Sequence, residues 1–196
     1  MIFDDERVER GIEPKILDSG ARREFGTGAV RDIAEGKGRC DLIPLDVIAV
    51  LLDSIVIDNI NEYVRTGDIN KLYLAIRFFI NKEFPDTQTA ILEVSKHYEE
   101  GCKKYGDRNF EKGIPLHCFI DSGVRHLVKF YRGDKDENHH LAFLWNLMTA
   151  IWTHKHHPEL IDLPFAESKT GTLDDFSSKI SNAMQKAFMP KAVSHE

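Results

Sequence analysis

Residues 98–146, YEEGCKKYGDRNFEKGIPLHCFIDSGVRHLVKFYRGDKDENHHLAFLWN, decide how this chain is read. Pro115 lacks an N–H and so suits the first turn of a helix, where that group has no intrahelical partner anyway. The helix it opens is predicted to run to about residue 131, with Phe119, Val124, Leu127 and Phe130 on its inner face. Arg132-Gly133-Asp134 stops it. Asp136 or Asn138 can cap the next helix, whose Leu141, Leu144, Trp145, Met148, Ile151 and Trp152 recur at helical spacing until Pro158 ends it. Upstream, Ile91, Val94 and Tyr98 predict a helix over residues 86–105 that stops at Gly106.

Working outward, Val47, Ile48, Leu51, Leu52, Ile55 and Val56 predict one helix over residues 45–65, with Pro44 in its first turn. Leu72, Ile76 and Phe79 predict another over 69–82, and Leu173, Phe176, Ile180, Met184 and Phe188 a C-terminal amphipathic helix over 172–188. Residues 1–18 are charged and aperiodic and read as a surface arm. Residues 19–43 hold five glycines among alternating charges and are expected to wrap, extended, over a helical body, delivering Lys37, Arg39 and Asp41. No stretch shows the alternation of a strand. The expected fold is all-α, a bundle of five to six helices with an extended N-terminal segment. Its expected divisions are an arm at 1–18, a helical domain at 19–158 and a linker with the last helix at 159–196.

The 196 residues suffice for one domain with a real core. A net charge of −6 opposes coating of a nucleic-acid polymer, which needs a positive surface. No apolar run reaches the ~20 residues of a membrane span, so a cytoplasmic protein is expected. Cys40, Cys102 and Cys118 lack the spacing of a zinc knuckle or a disulfide framework and are expected to be reduced. There is no Walker loop, no GxSxG and no HD dipeptide.

Asp134, Asp136, Glu137 and His140 fall within seven residues, and Glu137 and His140 share a helix face. Such hard oxygen donors suit Mg²⁺ or Mn²⁺, while acids at a helix start also simply favour its dipole. Lys104, Arg108, Lys112 and Arg125, with Lys37 and Arg39, could neutralise a polyphosphate. Asn109 and Asn146 are candidate base or sugar contacts, and equally candidate turn and helix-pairing groups. His154, His156 and His157 sit at a helix end, where protonated histidines complement the dipole.

The words KYGDRNFEKG, FIDSGVRHL and RGDKDENHHLAFLWN, preceded by SGARREFGTGAVRD and GKGRCDLIP, resemble in order and spacing the dATP/dGTP diphosphohydrolase family of phages and bacteria, relatives of the all-helical MazG nucleotide pyrophosphohydrolases. Residues 53–92 would be a helical insertion relative to short members. The resemblance implies hydrolysis of dGTP or dATP to the monophosphate and pyrophosphate in phage metabolism, in the host cytoplasm if phage-encoded, by a homodimer or homotetramer. It also implies metal ions held by acids paired on two helices. Glu99 and Glu100 are the candidates on the first helix, although Cys102 and Lys103 occupy the positions where the second acids of such pairs would fall. On the second, Glu137 and His140 form the pair, with Asp136 beside them and Asp121 as a further ligand. Glu100 or Glu137 would then deprotonate the attacking water. Because the pairs depart from the pattern, a protein that sequesters a nucleotide unchanged is the alternative, and a helical adaptor a third.

Overall fold

The computed structural model describes residue 16 and residues 20–165. The helix expected over 172–188, and all but residue 16 of the arm expected over 1–18, lie outside them. The described elements are two short strands, β1 (Arg22–Glu24) and β2 (Val30–Asp32), then α1 (Leu45–Leu51), α2 (Ile55–Thr66), α3 (Ile69–Glu83), α4 (Thr87–Tyr105), α5 (Leu116–Arg132) and α6 (His139–His156). Single 3₁₀ turns at Asn109–Lys112 and Pro158–Leu160 flank the last two helices. The fold is an all-α bundle with a small N-terminal hairpin, as the helical periodicities predict.

Helix α6 is the axis. Leu141, Phe143, Leu144, Asn146, Leu147 and Ala150 are all buried, so it is covered on every side, by α3, α4 and α5. Its tightest neighbour is α5. Gly123 makes that approach possible, because a Cβ there would lie 2.9 Å from the Leu147 side chain. Helix starts follow local capping chemistry: the Asp86 carboxylate accepts the Thr89 N–H at 2.6 Å, and the Asp68 carboxylate accepts that of Asn70 at 3.0 Å.

Three expectations need correction. The helix over 45–65 is two, because Asp53 adopts a left-handed φ of 46° and the Ser54 hydroxyl caps α2 by accepting the Ile57 N–H. The break rotates α1 relative to α2, so the apolar face expected to be continuous is not buried: Val47, Leu51, Leu52 and Ile55 are exposed, whereas Val56, Ile57, Ile60 and Tyr63 form the buried stripe of α2. Ile91, expected to face inward on α4, is also exposed. Finally, residues 22–32 do form a sheet. The two strands pair antiparallel with Arg22 opposite Asp32, Arg23 opposite Arg31 and Glu24 opposite Val30. No apolar alternation announces it, since a three-residue ladder with arginines on one face carries no hydrophobic period.

This hairpin is the start of the wrapping segment, and polar groups of the body hold it. Asn109 treats β2 as a neighbouring strand would: its Oδ1 accepts the Val30 N–H at 2.9 Å and its Nδ2 donates to the Val30 carbonyl at 2.8 Å. Asp32 accepts from Lys104 Nζ and Tyr105 Oη, each at 2.9 Å. Farther along, the Cys40 N–H reaches the Asp121 carboxylate at 2.7 Å. Replacing Asn109 with Ala leaves the Val30 N–H and C=O unpaired. The expected cost is about 1–3 kcal/mol, read as a lower urea midpoint, with amide exchange at Val30 rising more than in α5. Unchanged protection at Val30 would show that the hairpin docks without this clamp.

Candidate functional site

Between the hairpin segment, the C-terminal half of α4, α5 and the start of α6 lies a cavity of about 630 Å³, a size suited to a small-molecule ligand. Its walls are unusually charged for a buried space. Arg23, Arg31, Lys37, Arg108, Arg125 and Lys129 line it, against the acids Asp32, Asp121 and Glu137. Two of these acids are already satisfied. Asp121 accepts from Arg125 at 2.6 Å and from the Cys40 N–H; Asp32 accepts from Lys104 and Tyr105 and lies 3.1 Å from Arg22. Burial pushes the Asp32 carboxyl up, but its hydrogen bonds from Lys104 and Tyr105 outweigh that and leave it lowered.

The arginines are less well served. Arg31 is half-buried, its guanidinium lying over the Phe119 and Trp145 rings and donating to Asn146 Oδ1 at 3.1 Å. Burial lowers its pKa, an indication of how little charge surrounds it in compensation. Among the described residues, Arg31 Nη1, Arg23 Nε and Arg125 Nη1 are buried with no hydrogen-bond partner. Three arginines lining one cavity, each with a buried N–H that no protein group accepts, make it electrostatically suited to an anion.

The predicted site residues divide. Lys37, Arg108, Asn109, Asp121, Arg125, Glu137 and Asn146 line the cavity. Both amide groups of Asn109 are committed to Val30, and Asn146 bridges Arg31 and the Ala142 carbonyl. Lys104 stands behind Asp32, Lys112 reaches the Gly28 carbonyl at 3.5 Å, and Arg39 forks onto Asp41 at the surface. Glu99 and Glu100 both pair with Lys103 on the outer side of α4. His140 lies between the Phe84 and Phe130 rings. The polar turn and helix start thus bring Asp136 and Glu137, but not His140, toward a common centre.

That centre has a different partner. His126 Nδ1 and His139 Nδ1 face each other at 3.0 Å, and with Glu137 they form a group able to hold a metal ion, all ligating atoms within 4.8 Å. Asp136 joins from behind, accepting from His139 Nε2 at 2.7 Å; it also belongs to a second such group with Asp134 and His139. Burial pushes the Glu137 carboxyl up to about 7. Sequence reasoning passed over His126 and His139, as it did Arg23, Arg31 and Lys129. The available signals were weak: His126 follows Arg125 directly, and His139 sits between two singled-out neighbours.

On the opposite wall, the buried Cys118 receives a hydrogen bond from Arg23 Nη2 at 3.3 Å and touches His117 Nε2 at 3.4 Å. The His117 Nδ1 bonds to Asp162, which raises the imidazole to about 10; the contact with Cys118 adds to the rise. For Asp162, burial alone would raise the pKa, but the His117 bonds lower it.

A cavity lined by arginines, with histidine and carboxylate donors at one wall, is suited to a small molecule bearing phosphate groups. Residues 84–163 match the family model described as dATP/dGTP diphosphohydrolase, N-terminal. Over these residues the chain is similar to the N-terminal region of that family of nucleotide hydrolases, the one the resemblance implies. The match spans α4 to α6 and leaves the hairpin with Arg23 and Arg31 outside it. No curated protein and no solved structure matches the chain. No described helix is long and apolar enough to cross a membrane.

The His117–Asp162 pair makes a pH prediction. His117 is raised, so its contribution is fully present below about pH 6.5, its ordinary value, and is lost as pH climbs through about 10. Asp162 is lowered, so its share is present above its ordinary 3.8 and fades on acidification. Urea midpoints of the wild type should therefore fall between pH 7 and pH 10 by more than those of Asp162→Asn. Parallel profiles would mean that the pair is not coupled in solution.

Proposed function

We propose that this chain hydrolyses a purine deoxynucleoside triphosphate, dGTP or dATP, to the monophosphate and pyrophosphate. The observation that carries the reading is the trio of buried, unpartnered guanidinium N–H groups of Arg23, Arg31 and Arg125 around one cavity. A triphosphate presents several acceptor oxygens at short intervals, and guanidinium forks match them in shape and charge. Lys37 and Lys129 add positive charge at the same walls.

In this reading water attacks a phosphorus atom, the bridging P–O bond between the α- and β-phosphates breaks, and pyrophosphate leaves. Arg31 and Arg125 hold the oxygens on which charge builds. Glu137 accepts no side-chain hydrogen bond among the described residues and faces the cavity, so one carboxylate oxygen is free to orient the attacking water and take its proton. Tyr105, Phe110 and Trp145 give apolar surface on which a purine can lie.

A divalent cation fits the donor set, since His126, Glu137 and His139 bring their ligating atoms within 4.8 Å of one another. When bound it would polarise the phosphate and acidify water. The resemblance implies Mg²⁺ or Mn²⁺ here. A phage-encoded enzyme working in the host cytoplasm as a dimer or tetramer completes the reading; the exposed Leu42, Val50 and Leu51 are apolar surface that a second copy could cover.

Incubation of the protein with each dNTP and a divalent cation should yield the monophosphate and pyrophosphate, resolved by ion-exchange chromatography. Glu137→Gln should lower kcat by about 10²–10⁴, and Arg23→Gln should raise KM by about tenfold or more, the loss of one charge-assisted hydrogen bond. Nucleotide bound tightly and recovered intact would instead identify a sequestering protein.

A further inference from the structure

We infer that His126, Glu137 and His139 form a binding site for an imidazole-seeking first-row transition ion, of the Fe²⁺, Co²⁺ or Zn²⁺ type, in preference to Mg²⁺. Four observations carry this. The first is separation: His126 Nδ1 and His139 Nδ1 stand 3.0 Å apart. Two nitrogens each about 2.1 Å from a common ion are roughly 3.0 Å apart at a right angle and roughly 3.4 Å at a tetrahedral angle, so the pair already has the spacing of neighbouring ligands. The second is tautomer. Asp136, an acceptor, takes the hydrogen on His139 Nε2 at 2.7 Å, which leaves the Nδ1 lone pair of His139 directed at the shared centre. A carboxylate bonded to the far nitrogen of a histidine is the support that metal-ligating histidines ordinarily have.

The third observation is enclosure with access. His139 is 1% exposed and immobilised in the first turn of α6, while His126 and Glu137 open onto the cavity, so ligand positions remain for water or phosphate. The fourth is donor chemistry. Two imidazoles and one carboxylate suit ions with affinity for nitrogen, whereas Mg²⁺ seeks oxygen and keeps most of its water. The oxygen donors that could supply an all-carboxylate site are engaged elsewhere: Glu99 and Glu100 with Lys103, Asp121 with Arg125 and Cys40.

The inference rests on the cavity being the nucleotide site, but its test does not. Chelator-treated protein without nucleotide is titrated with Co²⁺ alone, following visible absorption and, in parallel, bound cobalt by elemental analysis after gel filtration. One ion per chain with ligand-field bands is expected, persisting in a large excess of Mg²⁺. His126→Ala should abolish the bands, and Asp136→Asn should weaken binding about 10–100-fold by freeing the His139 ring. Far-UV circular dichroism and cooperative melting check that each variant is folded; should His126→Ala fail, Glu137→Gln takes its place. No uptake, leaving an imidazole–imidazole hydrogen bond only, overturns the inference, as does displacement of cobalt by equimolar Mg²⁺ or a spectrum unchanged in the variants. Hydrolysis of dGTP with Mg²⁺ by protein that takes up no cobalt sinks the metal site and leaves the function standing. Cobalt bound without any dGTP binding sinks the function and leaves the site.

Discussion

Burying a guanidinium whose N–H groups are not all matched costs about 1–3 kcal/mol for each stranded donor, and this fold does so three times around a single cavity. Much of the remaining architecture serves to make that arrangement tolerable. Arg31 spreads its charge over the Phe119 and Trp145 rings and fastens one nitrogen to Asn146. Arg125 keeps one nitrogen on Asp121, and Arg23 keeps one on the Cys118 sulfur. Each side chain is thereby held in place by part of its hydrogen-bonding capacity, while one buried N–H of each is left without a partner. Preorganised donors of this kind bind an anion without first having to be ordered.

The hairpin segment is the price of the arrangement. Arg23 and Arg31 are a cross-strand pair, and the ladder that aligns them has only three residues per strand, too few to stand alone in water. It persists because the helical body supplies the partners of a missing strand: Asn109 for Val30, and Lys104 with Tyr105 for Asp32. Asp32 and Asp121 therefore act as fasteners. They tie the segment to α4 and α5 and, by being paired, withdraw negative charge from the cavity.

How much of this could be read in the sequence depends on whether the governing interaction is local. The bounds of α3, α4, α5 and α6 follow from apolar period, Asp caps and the positions of Pro115 and Gly133, all short-range signals, and the structure agrees within a residue or two. The split of residues 45–65 turned on one left-handed aspartate and a serine cap, which a continuous apolar stripe conceals. The site was legible in outline, through the family words and the acids at the start of α6. Its details were not. Whether Glu100 faces a cavity or Lys103 is set by how α4 is rotated about its axis, and whether Arg31 is a surface charge or a buried one is set by contacts with residues far along the chain, Phe119, Trp145 and Asn146.

A chain of net charge −6 can nonetheless hold a polyanion because charge is sorted by depth. Acids at the surface pair with nearby bases, as Glu62 does with Arg65 and Asp134 with Arg132, at little energetic consequence. Facing the cavity, six basic groups meet three acids, two of which are spent on fastening. Glu137 is the exception, a buried carboxyl that Lys37, Lys104 and Lys129 pull down and that burial pulls up more strongly. Its place beside two histidines follows from the shortness of the α5–α6 connection, which leaves His126 near the end of one helix and His139 at the start of the next facing each other. The same tight turn that closes the central helix pair thus brings two imidazoles and a carboxylate together at the cavity wall.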